Sequence, residues 1–130
     1  MMLIGTDLDG VIAYNSLNKA DYRPFKLYEY YSKAIPTKLS KMPVDFIVTG
    51  RKQHFRKVTQ EWLKLYGVKY QQLLMFPNKT KKNNQTLAEY KSRAINELGI
   101  TKYYEDDERI AEYLKKTCQN TKIIFVETKL

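Results

Sequence analysis

Asp7 and Asp9 stand two residues apart in DLDG, directly after the apolar run MLIGT. If a strand ends there, its carboxyl end can turn both acids toward the crevice where α/β proteins bind ligands. Asp7 could then attack phosphorus as an oxygen nucleophile. Asp9 could give a proton to the leaving alcohol and later take one from attacking water. Two carboxylates repel phosphate, and Mg²⁺ suits the compensation because it accepts hard oxygen ligands while contacting phosphate. Asp7, the backbone carbonyl of Asp9 and Asp106 could supply its protein ligands, with water completing the shell. Gly10 permits a sharp turn and a close approach of backbone to ligand. Taken alone, DLDG is also compatible with a turn that merely exposes two solvated acids.

Three further segments bear on the same chemistry. DFIVTGRK puts Thr49 and Gly50 after a second apolar run, so the Thr49 hydroxyl and neighbouring amides could bind a phosphoryl oxygen. Arg51 could contact the substrate beyond its transferable phosphate, since guanidinium offers two directed donors. Lys91, in LAEYKSRAI near the start of a helix, could point into the acidic crevice, hold Asp7 and neutralise charge on phosphate. YYEDDERI supplies Glu105, Asp106 and Asp107. Asp106 is the first choice for direct coordination and Asp107 the second; Glu105 could orient a ligand water or cap the next helix. Each segment has a plain structural alternative: a helix-entry turn, a solvated lysine, an acidic helix start. Their order along the chain is more specific than any one of them.

The elements that must position these residues alternate. Apolar runs at 2–6, 44–48, 73–76, 102–105 and 123–126 read as strands, the fourth being the weakest. Between them, Phe25, Tyr28, Tyr31 and Ile35 suggest a helix bounded by Pro24 and Pro36. Phe55, Val58, Trp62, Leu63 and Tyr66 form a second helical face that stops at Gly67. Leu87, Tyr90, Ala94, Ile95 and Leu98 give a third, closed by Gly99, and a fourth runs over about 108–116 with Ile110, Tyr113 and Leu114 inward. Residues 79–84, KTKKNN, read as a polar surface loop. Such alternation predicts an α/β, three-layer, Rossmann-like domain with a parallel sheet, spanning 1–130 as one unit.

Composition sets the outer bounds. The chain has 130 residues and a formal net charge of +9, a balance that attracts polyanions or keeps a lysine-rich surface solvated. No apolar run approaches the roughly 20 residues of a membrane-spanning helix, and MMLIGTDLDG lacks a basic leader. Cys118 stands alone, so no internal disulfide forms. A soluble, cytoplasmic or otherwise intracellular protein without a membrane partner is the expectation.

With DLDG, TGR, EYK and YYEDD in this order, the chain resembles the haloacid dehalogenase-like superfamily, especially its phosphatases, over residues 2–126. The resemblance implies a five-stranded parallel sheet of order 3-2-1-4-5 and an aspartyl-phosphate intermediate. It assigns Asp7 as nucleophile, Asp9 as acid/base, Thr49 and Lys91 as partners, and the acidic segment as metal site. The short connections leave no room for a large cap. An open site should accept phosphate on a larger molecule, and dimerisation to a homo-oligomer could supply missing walls. TGRKQHFRKVTQEWL looks similar to the phosphatase domains of polynucleotide kinase-phosphatases and to small nucleotidase-like members. A phosphorylated nucleic acid or nucleotide, preferentially with a 3′-phosphate, is the substrate this implies. Tyr14, Tyr22, Tyr28 and Tyr30 could include a stacking residue, although packing suffices to explain most of them. A small-nucleotide phosphatase and a non-catalytic nucleic-acid-binding protein on the same fold are the alternatives.

Overall fold

The computed structural model describes residues 2–15 and 23–127. Five parallel strands form its main sheet: β1 (Ile4–Thr6), β4 (Phe46–Lys52), β5 (Gln72–Phe76), β6 (Lys102–Glu105) and β7 (Lys122–Phe125). Their spatial order is β5-β4-β1-β6-β7, which is 3-2-1-4-5 when only these strands are counted. A short antiparallel pair, β2 (Ala13–Tyr14) and β3 (Ile35–Pro36), lies outside it. Two residues per strand are too few to register as period-two alternation, so this pair has no trace in the sequence pattern.

Helices cover both faces. Alternation within β4 divides the core: Ile47 faces one apolar cluster, Phe46 and Val48 the other. On the Ile47 side lie Leu27 and Tyr31 of α1 (Pro24–Ser32) and Val58, Trp62 and Leu63 of α2 (Arg56–Leu65). On the other side lie Ala88, Ala94 and Ile95 of α3 (Asn84–Leu98) and Ile110 and Leu114 of α4 (Glu108–Thr117). Three layers result. The indole N–H of Trp62 donates to the Ala34 carbonyl at 2.8 Å and ties α2 to the end of the first connection.

The first helix differs from its expected face. Of Phe25, Tyr28, Tyr31 and Ile35, only Tyr31 is buried; Phe25 is 61% and Tyr28 50% exposed. Leu27 and Tyr31, four apart, occupy the core stripe, and residues one position away are rotated by about 100° from it. Tyr66 at the end of α2 is likewise outside the core.

A close approach across the central strand shapes the sheet. Tyr103 in β6 is fully buried, and its hydroxyl donates to the Val48 carbonyl of β4, passing over β1. A Cβ at Gly5 of β1 would stand 3.1 Å from the Tyr103 ring and 2.9 Å from Ile100. Glycine there lets one aromatic side chain join the two neighbours of the central strand.

Candidate active site

The carboxyl ends of β1 and β6 lie side by side, because Thr6 pairs with Tyr104 and the Asp7 amide continues the ladder to the Tyr104 carbonyl at 2.9 Å. After Asp7 the chain coils on the Leu8 carbonyl, which accepts from the amides of Ile12 and Ala13 at 3.0 Å each. Asp7 is 6% exposed, and one of its oxygens accepts from the Leu8 amide at 2.7 Å. These contacts fix its carboxylate at the sheet edge.

Lys91 reaches that edge from the opposite layer. Its ammonium lies 3.2 Å from Asp7 and 2.7 Å from Glu105, with all three residues buried. It sits in the middle of α3 rather than near the start. A capping box between Asn83 and Thr86 begins the helix at Asn84, earlier than its apolar face suggests. Asp106 completes the group: carboxylate oxygens of Asp7, Glu105 and Asp106 lie within 4.8 Å of one another.

Charge sets what this group can do. Burial works against the ammonium of Lys91, but Asp7 and Glu105 together outweigh it and raise its pKa, so it stays charged. Burial and the charge of Asp7 push Glu105 upward, against the pull of Lys91. The 2.7 Å ammonium and the amides of Asp106 and Asp107, both donating to Glu105, favour its ionised form. Asp106 is pushed up to about 7 by burial and then by Asp7. Three carboxylates against one ammonium suit a divalent cation, whose two charges balance the remainder. Most lone pairs of Glu105 already serve Lys91 and the two amides, so Asp7 and Asp106 are the freer donors.

Gly10 makes the geometry possible. Its φ is +86°, and a Cβ there would fall 1.8 Å from an Asp106 carboxylate oxygen. The close approach expected at DLDG is thus between the turn and the acid that follows β6.

Asp107 is not in the group. Its carboxylate accepts from the amides of Arg109 and Ile110 at 2.9 and 3.1 Å and caps α4. The capping role considered for Glu105 therefore falls to Asp107, because the N-cap position lies two residues farther along.

A second pairing stands beside the cluster. Arg51 donates from Nε and Nη2 to the two oxygens of Asp9, at 2.9 and 2.7 Å. Expected to reach outward to a substrate, Arg51 is instead 1% exposed, stacked 4.0 Å over the Tyr31 ring and bonded to the Thr59 hydroxyl. Its own amide donates to the Thr49 hydroxyl at 3.1 Å, where β4 breaks register with β5. Thr49 is fully buried, and Gly50 packs against Leu87. The Asp9 side chain is 41% exposed and so remains open to solvent while the arginine orients it. Of the tyrosines considered for stacking, Tyr28 is exposed, Tyr14 and Tyr30 are half-buried, and Tyr22 lies outside the described residues.

A titration follows from the raised Asp106. A divalent cation must displace its proton, so apparent affinity for such a cation is expected to rise from pH 5.5 to about 7 and then level. Without metal the sign reverses for folding. The folded state holds a proton that the unfolded chain releases near pH 4, so stability falls as pH rises from about 4 to 7. Calorimetric titrations across this range check the first statement, and a pH-independent affinity would contradict it. Asp106→Asn should weaken the metal by about tenfold or more, whereas Asp107→Asn should cost α4 under about 1 kcal/mol and leave metal affinity within about threefold.

Neither a family model nor a curated protein matches the chain. Solved structures do. One chain of the Pnkp1/Rnl/Hen1 RNA repair complex superposes with a TM-score of 0.74 at 18% identity, covering 96% of this chain and 42% of that one. A second structure of the Pnkp1/Rnl/Hen1 complex gives 0.72 at 18%, covering 96% and 45%. The chain thus spans less than half the length of the solved chains it matches. No helix among the described residues is long and apolar enough to cross a membrane. Sheet order, layer arrangement and these superpositions agree: the chain has a haloacid dehalogenase-like fold, a three-layer α/β domain with a five-stranded parallel sheet.

Proposed function

We propose that this protein is a Mg²⁺-dependent phosphomonoester hydrolase acting on a nucleic-acid or nucleotide phosphate, preferentially at a 3′ end. The observation that carries the reaction is the buried Lys91 joining Asp7 to Glu105 beside Asp106 at the sheet's carboxyl edge. Asp7 and Asp106, with Glu105 and the backbone carbonyl of Asp9, would hold the cation; when bound it supplies positive charge to the phosphate oxygens.

An Asp7 oxygen attacks phosphorus and forms an aspartyl phosphate as the P–O ester bond breaks. Asp9 gives its proton to the departing alkoxide. Water then adds to phosphorus while Asp9 takes a proton from it, and the P–O bond to Asp7 breaks to restore the carboxylate. Lys91 holds the nucleophile and offsets charge, and Thr49 with the Gly50 amide binds a phosphoryl oxygen. Arg51 holds Asp9 as a carboxylate by two parallel bonds, so Asp9 must loosen from Arg51 and take up a proton before it can act as the acid, and the pairing restores the carboxylate that accepts a proton from water.

The net charge of +9 and the likeness to a chain of an RNA repair complex support a nucleic-acid substrate. A panel of 3′- and 5′-phosphorylated DNA and RNA, mononucleotides, sugar phosphates and phosphopeptides, assayed with Mg²⁺ by phosphate release, tests this. The expected result is highest kcat/KM on a 3′-phosphorylated oligonucleotide. Higher values on sugar phosphates or phosphopeptides would defeat the substrate class. Higher values on mononucleotides would favour a small-nucleotide phosphatase. Salt-sensitive oligonucleotide binding without any turnover would make the protein a binding module.

A further inference from the structure

Between α1 and the 78–84 segment lies a cavity of about 800 Å³, large enough for a ligand of nucleotide size. We propose that it seats the leaving group, taking the terminal nucleoside and first phosphodiester of a single-stranded oligonucleotide. This rests on the phosphatase reading and narrows its substrate.

Two of the cavity's lining residues pack against the candidate active site. Tyr31 forms part of its wall and lies under the Arg51 guanidinium that grips Asp9. Leu87, on another wall, lies against Gly50, with a side-chain carbon 3.0 Å from where a Cβ would stand. A substrate with its phosphate at Asp7 would have to extend past Arg51 and Gly50 to place its leaving group here.

The lining pairs cations with rings. Among the described lining residues Lys52, Lys81 and Lys82 carry positive charge, the His54 ring is exposed with Phe55 buried behind it, and none is acidic. A ring platform with cations at its margin suits a base and its flanking phosphate, whereas a simple sugar phosphate would leave the rings uncovered. The exposed His54 ring stands edge-on to Phe55 at 5.1 Å, and Phe55 in turn to Tyr31 at 5.1 Å. Hydrogen bonds tie parts of the wall together. Asn78 accepts from the His54 amide at 2.7 Å through its side chain and from Lys52 at 3.3 Å through its carbonyl, joining the end of β4 to the 78–84 segment. The capped start of α3, at Asn83 and Asn84, adds the positive end of a helix dipole to the same cavity.

The test uses the double variant Lys81→Ala/Lys82→Ala, whose side chains are on the surface and whose loss leaves the core intact. Two measurements are made with Mg²⁺: kcat/KM on a 3′-phosphorylated tetranucleotide and on p-nitrophenyl phosphate. A third, on the Asp7→Asn background, follows tetranucleotide binding at several salt concentrations. The ratio of the two kcat/KM values should fall about tenfold or more, chiefly through KM, and the slope of log affinity against log salt should decrease by about one. An unchanged ratio overturns the proposal. So does a phosphopeptide that exceeds the tetranucleotide with the same lysine dependence. If no ester is hydrolysed by the wild type, the phosphatase reading fails. The cavity then stands on lysine-dependent tetranucleotide binding and falls if binding ignores the lysines.

Discussion

Replacing Asp7 with Asn is expected to lower kcat on the preferred phosphate ester by on the order of 10³-fold or more, because it removes the proposed nucleophile. The substitution is close to isosteric, and an amide oxygen can still accept from the Leu8 amide, so the turn persists. Asparagine cannot form the mixed anhydride with phosphate that a carboxylate can. Two readouts separate this from unfolding. Thermal denaturation should show a folded variant, and acid-quenched wild type, but not the variant, should carry phosphate from labelled substrate. Wild-type turnover by Asp7→Asn protein of verified intact mass would defeat the covalent mechanism. Asp9→Asn should leave the first bond-forming group in place but slow both protonation and hydrolysis of the intermediate.

Lys91→Met should damage both stability and activity. Methionine keeps most of the apolar stem but leaves Asp7, Glu105 and Asp106 without their buried cation. Removing one partner of a buried ion pair costs about 3–5 kcal/mol, much of it from the charge left behind. Because the folded-state pKa of Lys91 lies above its unfolded value, its contribution is fully present below about pH 10 and is lost only as pH rises further. Neutral-pH urea denaturation therefore reads the whole effect. A divalent cation should restore more stability to the variant than to wild type, since it replaces part of the missing charge. Turnover should fall by about 10²-fold or more even where Mg²⁺ saturates, because no ammonium faces the phosphate. A variant as stable as wild type with equal response to Mg²⁺ would remove Lys91 from the charge balance of the site.

Much of this arrangement is legible in the residues themselves. The five apolar runs are strands within one or two residues of their expected limits, except that β4 continues through Thr49 to Lys52. Strand order came from the resemblance, since periodicity places no strand beside another. Asp7, Lys91 and Asp106 meet as anticipated. Glu105 was harder to assign. As the last residue of β6 it is fully buried, and only three-dimensional placement shows that it pairs with Lys91 instead of starting a helix. The placement of Arg51 is hidden from the sequence for a similar reason. A guanidinium next to a glycine turn reads as surface chemistry, while its actual partners, Asp9, Thr59 and Tyr31, are 42, 8 and 20 residues away. The lysine-rich stretch 79–84 reads as a plain loop, and it becomes a cavity wall only once α1 stands opposite.

The position of β1 in the centre of the sheet also governs when the site can come into being. Its two neighbours arrive from far along the chain: Gly5 pairs with Phe46 on one side and with Tyr103 on the other. Asp7 is synthesised well before β6, yet it meets Glu105 and Asp106 only after β6 has docked beside β1. Loop closure over such a span is slow compared with forming any one of the helices. A chain stopped before residue 102 thus carries Asp7 without the two acids that cluster with it. The acidic cluster is completed only with the closing of the sheet, late in folding, so any chemistry it supports is absent from a half-folded molecule.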